Sequence, residues 1–151
     1  MSGLARVLAG EVAGGVYTWT SAAEAGDVQD ATVASRWRFV LLDTWQVDSK
    51  AAFMAACRRG FEFPAWVGSN FDAMADALSD VRGGGAEGVL VLWQGWQPLA
   101  AKHPHVFAMA LRVFAERDLF AAGGRFVVLL QSAIRPDGDV PELEPLSGWS
   151  N

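Results

Sequence analysis

The sequence predicts an α/β domain: a three-stranded parallel sheet with packed helices in a three-layer arrangement, preceded by an N-terminal extension. Three observations predict it. Short apolar runs occur at residues 37–43, 88–93 and 125–131, each too short for a buried helix and rich in branched and aromatic residues. Each run is apolar at successive positions, the pattern of a strand covered on both faces, as parallel sheets require. Helical patterns separate the runs in the order strand, helix, helix, strand, helix, strand, which short right-handed connections resolve as a parallel sheet with helices packed on it.

The first strand lies in RWRFVLLDTW. Asp48 is then placed to cap a helix over residues 49–59, with Phe53, Ala56 and Cys57 on one face and Gly60 at its end. Arg58 and Arg59 complement the dipole at its last turn. In FEFPAWV, residues 61–67, the step before Pro64 disfavours helix, so the segment is expected as an ordered loop bearing Trp66. Gly68 and Ser69 open the next helix, where Ser69-Asn70-Phe71-Asp72 has the Ser-x-x-Asp form of an N-terminal cap and the helix runs to about Asp80. The glycines at 83–85 end that element. The second strand, GVLVLW, leads through a WQPLA bridge to a helix over residues 104–117, with Pro104 at its start and Phe107, Ala110, Leu111 and Phe114 as its buried stripe. RFVVLLQ is the third strand.

Residues 36–131 therefore make the predicted domain. Residues 1–35 are expected as an extension, with room for a short strand at 15–19 and an alanine-rich helix at 21–35. Residues 132–151, which hold three of the six prolines, are expected as a mobile tail.

Composition narrows the function. With 12 basic against 17 acidic residues the net charge is -5, which argues against a nucleic-acid partner, because that affinity comes from basic side chains neutralising phosphates. A basic protein is the better match. The single cysteine, Cys57, permits no internal disulfide and no thiolate zinc cluster, which fits a reducing cytoplasm. Arg6 and Glu11 interrupt the N-terminal stretch, and no run reaches the roughly 18 apolar residues of a membrane helix, so a soluble cytoplasmic protein with no membrane partner is expected.

One constellation carries chemistry. Asp72, Asp76 and Asp80 recur at every fourth residue of the second helix, so at helical spacing they span only about 80° of its circumference and form one acidic stripe. Phe71, Met74, Ala75 and Leu78 fall on an arc roughly opposite and are expected to be buried. A solvated polar face would show the same spacing. Trp66 in the preceding loop adds a rigid aromatic beside those charges, the combination that typifies protein interface hot spots.

These residues also carry a resemblance. FPAWVGSNFDAMADALSD, followed by GVLVLW and then ALRVFAERD with FVVLL, is similar to the barstar family of intracellular ribonuclease inhibitors over about residues 38–131, most specifically at Pro64, Gly68, Asn70, Asp72 and Asp76. The resemblance implies a protein, monomeric when free, whose loop and second helix plug the active site of a basic, extracellular-type ribonuclease, with acidic side chains where RNA phosphates would bind. It implies that Asp76 is the central acidic contact, Asp72 a second, Trp66 the loop aromatic, and Glu116 a contact from the following helix. Gly68 and Asn70 correspond to the structural turn into the helix, Ser79 to a hydroxyl of the patch, and Asp80 extends the stripe. The chain departs from the family at Ala75, where the family has a large aromatic, and at Val67, which replaces a second loop aromatic. Those departures leave a second reading open, a binding or regulatory module on the same fold without ribonuclease inhibition.

An enzyme is disfavoured. His103 and His105 flank Pro104 at a spacing that could bring two metal ligands together, but a helix N-cap and an exposed ring account for them better, and no metalloprotease helix motif, nucleophile elbow or phosphate loop occurs. The glycines at 83–88 precede a strand instead of following one, which fails the context for dinucleotide binding. No cofactor or metal is expected.

Overall fold

The structure, a computed structural model, describes residues 3–81, 87–119, 124–134, 136, 138 and 140–143. Its elements are α1 (Gly3–Leu8), β1 (Gly15–Thr20), α2 (Ala25–Ala34), β2 (Arg38–Asp43), α3 (Lys50–Phe61), α4 (Phe71–Ser79), β3 (Gly88–Gln94), α5 (Gln97–Lys102), α6 (Pro104–Leu119) and β4 (Arg125–Ser132). The strands form one all-parallel sheet in the order β1-β4-β3-β2.

The expected α/β class and parallel pairing are present, but the three-stranded sheet is wrong: there are four strands. Residues Gly15–Thr20 pair in register with Val127–Ser132 of β4. The physical reason lies in β4. Without β1 it would be an outer strand with a row of unpaired backbone groups on a fully apolar run, the edge that parallel sheets cover.

Side chains alternate across β3 and β4 and divide the core in two. Val89, Val91, Trp93, Phe126, Val128 and Leu130 face α3, α4 and α6, where Phe53, Cys57, Phe61, Met74, Leu78 and Phe114 complete the larger cluster. Leu90, Leu92, Val127 and Leu129 face the other way, against Leu4, Val7, Trp19, Val28 and Trp37. Helices therefore cover both faces. β2, at the sheet's other edge, does not have both faces covered as expected: Val40 and Leu42 are buried while Leu41 and Asp43 are exposed.

Local boundaries differ from the expected ones in ways the contacts explain. Ser49, not Asp48, caps α3, its hydroxyl accepting from the Ala52 N–H at 3.1 Å. That helix runs past Gly60 to Phe61 and ends at Glu62, whose left-handed backbone (φ 57°) turns its N–H back to the Arg58 carbonyl. The stretch expected as a bridge forms α5, and in α6 Phe107 and Leu111 are half-buried while Arg117 is buried. Part of the segment expected as a mobile tail is packed. Thr18 donates its N–H to the Pro141 carbonyl at 2.8 Å, Leu143 donates to the Thr18 carbonyl at 2.6 Å, and Leu143 is buried. The glycines at 83–85 and residues 144–151 lie outside the described residues.

Candidate functional site: a tryptophan loop and an acidic helix

The loop between α3 and α4 is held from inside. Val67 is buried and donates its N–H to the Pro64 carbonyl at 3.1 Å, closing a turn that leaves Trp66 80% exposed. An aromatic side chain so fully in water gains nothing for the fold. Arg58 fastens the loop to α3: its guanidinium donates to the Val67 carbonyl at 3.1 Å and to the Ser69 hydroxyl at 2.8 Å. Because Ser69 is engaged there, the cap of α4 falls to Asn70, whose Oδ1 accepts from the Ala73 N–H at 2.8 Å. At Gly68 a Cβ would come within 3.3 Å of the Ala73 Cβ, so the small residue lets the loop lie close on the helix.

α4 turns Phe71, Met74 and Leu78 into the core and Asp72, Asp76 and Asp80 outward. Ala75, expected in the buried arc, is exposed instead. The buried stripe of this nine-residue helix is narrow, with Phe71, Met74 and Leu78 three and four residues apart, and Ala75 lies beyond its edge. Trp66, Val67, Gly68, Ala73, Asp76, Ala77 and Asp80 line one recess of about 280 Å³. Asp72 stands one turn before Asp76, outside that recess, where the helix N-terminus favours its charge. Asp80 is the C-cap residue and has no such help. Among the described residues no basic side chain forms an ion pair with any of the three.

The remaining expected positions are satisfied within the fold. Ser79 donates its hydroxyl to the Asp76 carbonyl at 2.6 Å. Glu116, exposed on α6, accepts from Arg112 Nε at 3.0 Å, one turn away. α6 is joined to α4 through Arg117, a residue not singled out in the sequence. Buried, it donates from Nε to the Leu78 carbonyl at 2.7 Å and from a terminal nitrogen to the Val81 carbonyl at 2.6 Å, with its guanidinium over the Phe126 ring. Arg58 likewise showed in sequence only as a dipole partner. Both roles depend on contacts between segments far apart in the chain, for which local pattern gives no signal.

Other candidate chemistry is not assembled. A His103 ring nitrogen lies 2.6 Å from the Asp48 carbonyl oxygen, and among the described residues no three His, Cys, Asp or Glu side chains are grouped to hold a metal. Cys57 is buried on the inner face of α3, and burial pushes its thiol pKa far up, away from the reactive thiolate. Among the described residues no helix is long and apolar enough to cross a membrane.

The comparison that decides the family covers this loop, the helix and three of the four strands. A family model described as Barstar (barnase inhibitor) matches residues 37–131. The chain belongs to the barstar family. The barstar match begins just before β2, so α1, β1 and α2 lie outside it although β1 completes the sheet. No curated protein matches the sequence. Among solved structures, the chain is similar to the Aeropyrum pernix ORC2 protein, solved as ADPNP-ADP complexes, at 14% identity and a TM-score of 0.55. That likeness covers 85% of this chain and 37% of the ORC2 chain, and it concerns the fold alone.

Proposed function

We propose that this barstar-family protein inhibits a basic ribonuclease by seating the Trp66 loop and the acidic face of α4 in the enzyme's RNA-binding cleft. The observation that carries the proposal is Trp66, 80% exposed on a loop tied down by Arg58, beside a recess edged by the carboxylates of Asp76 and Asp80. A rigid aromatic next to unpaired carboxylates is suited to a cationic cleft: the ring supplies buried area and the carboxylates meet the side chains that would bind phosphates. Asp72 and Glu116 extend the acidic surface to either side. Asn70, Gly68 and Ser79 shape the helix that presents it. Inhibition of this kind requires no catalysis and no cofactor from the inhibitor, and a ribonuclease retained inside the cell would make the cytoplasm the place of action.

A second reading rests on Ala75. It is exposed on α4 beside the acidic face yet offers a single methyl group where the family has a large aromatic, so the patch serves a different protein partner in a binding module without ribonuclease inhibition. Titration into a panel of basic ribonucleases, with cleavage of a fluorogenic RNA as readout, separates the two. Stoichiometric loss of cleavage supports the inhibitor, and full activity across the panel supports the module.

A further inference from the structure

The carboxyl end of the sheet holds a second concave feature, independent of α4. The chain leaves β1 toward α2 on one face and leaves β3 toward α5 and α6 on the other, with β4 between them. Their carboxyl ends diverge there, the place where open parallel sheets form ligand crevices. The crevice has a volume of about 650 Å³ and lies between Ser21 and Ala23 after β1, Gln131 at the end of β4, and Gln94 and Trp96 at the end of β3. That is within the range that holds a small organic ligand.

Its aromatic wall is built in advance. Trp45 is 57% exposed, yet its inner side lies against Gly95, which has φ +68° and where an added Cβ would stand 2.4 Å from the Trp45 Cγ. The preceding residue is locked: the buried Trp93 indole N–H donates to the Thr44 hydroxyl at 2.8 Å, and that hydroxyl donates to the Gly95 carbonyl at 2.8 Å. Trp96 is fixed by its indole N–H, 3.0 Å from the Gln131 carbonyl, and by stacking on Phe107.

Its polar edge is built as well. Gln131 gives its amide hydrogens to the carbonyls of Ser21 at 3.2 Å and Ala23 at 2.9 Å, and its oxygen accepts from Gln94 at 2.9 Å. That leaves Gln94 with a second N–H and a carbonyl oxygen that have no partner among the described residues, an adjacent donor and acceptor on a held side chain. Glu24 is the one charged residue among the described lining residues, so the crevice disfavours phosphates. An open tryptophan face beside an amide with one donor and one acceptor free matches a planar heterocycle with a donor–acceptor edge, since bases stack on aromatic side chains and pair with glutamine amides. We propose that this crevice binds an uncharged nucleobase, presented as a nucleoside, by stacking it on Trp45 and hydrogen-bonding its edge to the Gln94 amide.

The test is titration of the full ¹⁵N-labelled chain with adenosine, guanosine, cytidine, uridine and, as a non-aromatic control, methyl glucoside. At least one nucleoside is expected to shift the Trp45 and Trp96 indole signals and the Gln94 side-chain amide saturably. Trp45→Ala and Gln94→Leu are each expected to weaken that binding at least tenfold, and Trp45→Phe to keep most of it. Gln94→Leu preserves side-chain bulk, so it decides the matter even if Trp45→Ala perturbs the fold. The proposal is overturned if no nucleoside gives saturable shifts at millimolar concentration, if the shifts centre on α4, if folded Gln94→Leu binds as the parent does, or if methyl glucoside binds equally well.

Discussion

Arg117 and Leu78 join the two helices behind the acidic face: the Arg117 Nε donates to the Leu78 carbonyl at 2.7 Å, and the same guanidinium reaches the Val81 carbonyl at 2.6 Å. The Leu78 carbonyl, in the last turn of α4, also accepts from the Val81 N–H at 3.0 Å, so the buried cation adds a second donor there, reaches the Val81 carbonyl just past the helix end and complements the dipole. Arg117→Met is therefore expected to destabilise the protein by about 2 kcal/mol, because the Val81 carbonyl loses the guanidinium donor while the Leu78 carbonyl keeps only the Val81 N–H at 3.0 Å. Urea unfolding measures it: the midpoint falls while the slope stays unchanged, and a loss below about 1 kcal/mol would show that water replaces the guanidinium.

How much of this was legible in sequence follows from where each contact's partner lies. The strands at 38–43, 88–94 and 125–132 stand out because a fully apolar run identifies itself locally. β1 does not: GVYTWT has glycine and two threonines, and its partner β4 lies more than 100 residues away, so only tertiary pairing shows it to be part of the sheet. Capping shows the same limit. Ser69 and Asn70 are both good caps, and the choice falls to Asn70 because Arg58, from another helix, occupies the Ser69 hydroxyl. The acidic stripe was legible because helical periodicity alone puts Asp72, Asp76 and Asp80 on one face. Its support by Arg58 and Arg117 was not.

Cys57 links stability to pH. Burial raises its thiol pKa in the folded chain, so the folded state holds the proton that the unfolded chain releases above the ordinary thiol range. Stability is full below that range and declines as pH rises through it, by about 1.4 kcal/mol per pH unit for one group. Comparison of the parent with Cys57→Ala between pH 8 and 10 isolates the contribution: the parent is expected to show the steeper decline. In the native state at pH 8 the thiol is expected to resist a thiol-specific reagent until denaturant is added.

Trp66→Ala tests whether the loop aromatic serves the fold or a partner. With the side chain 80% exposed, its removal is expected to change stability by no more than about 0.5 kcal/mol. Ribonuclease binding, in contrast, is expected to weaken by about 2 kcal/mol or more through faster dissociation, as for an aromatic anchor at an interface centre. A drop in melting temperature with unchanged dissociation would reverse the assignment.

Asp76→Ala is expected to separate binding from folding more sharply. Asp76 is exposed and has no ion-pair partner among the described residues, so the free protein loses little. In a complex with a basic cleft the substitution strands a cation, and the affinity is expected to fall by about 2–5 kcal/mol, read by calorimetry at fixed salt. Glu116→Ala is expected to do less, because Glu116 already shares its charge with Arg112 at 3.0 Å. Equal effects at the two positions would move the centre of the interface from the recess toward α6.

The ionic-strength dependence of the two rate constants tests the electrostatic part as a whole. Unpaired carboxylates on an exposed helix face attract a cationic cleft before contact, and that attraction is screened beyond about 10 Å at 0.1 M salt. Contacts made after docking lie within that distance and largely exclude ions. The association rate constant is therefore expected to fall at least tenfold between 0.02 and 0.5 M sodium chloride, with the dissociation rate constant changing less than about twofold. In the triple variant Asp72→Asn, Asp76→Asn, Asp80→Asn the salt dependence of association is expected to flatten, because the shape of the face is kept and the charge removed. Steep salt dependence surviving in that variant would place the steering charge elsewhere in the chain's net -5.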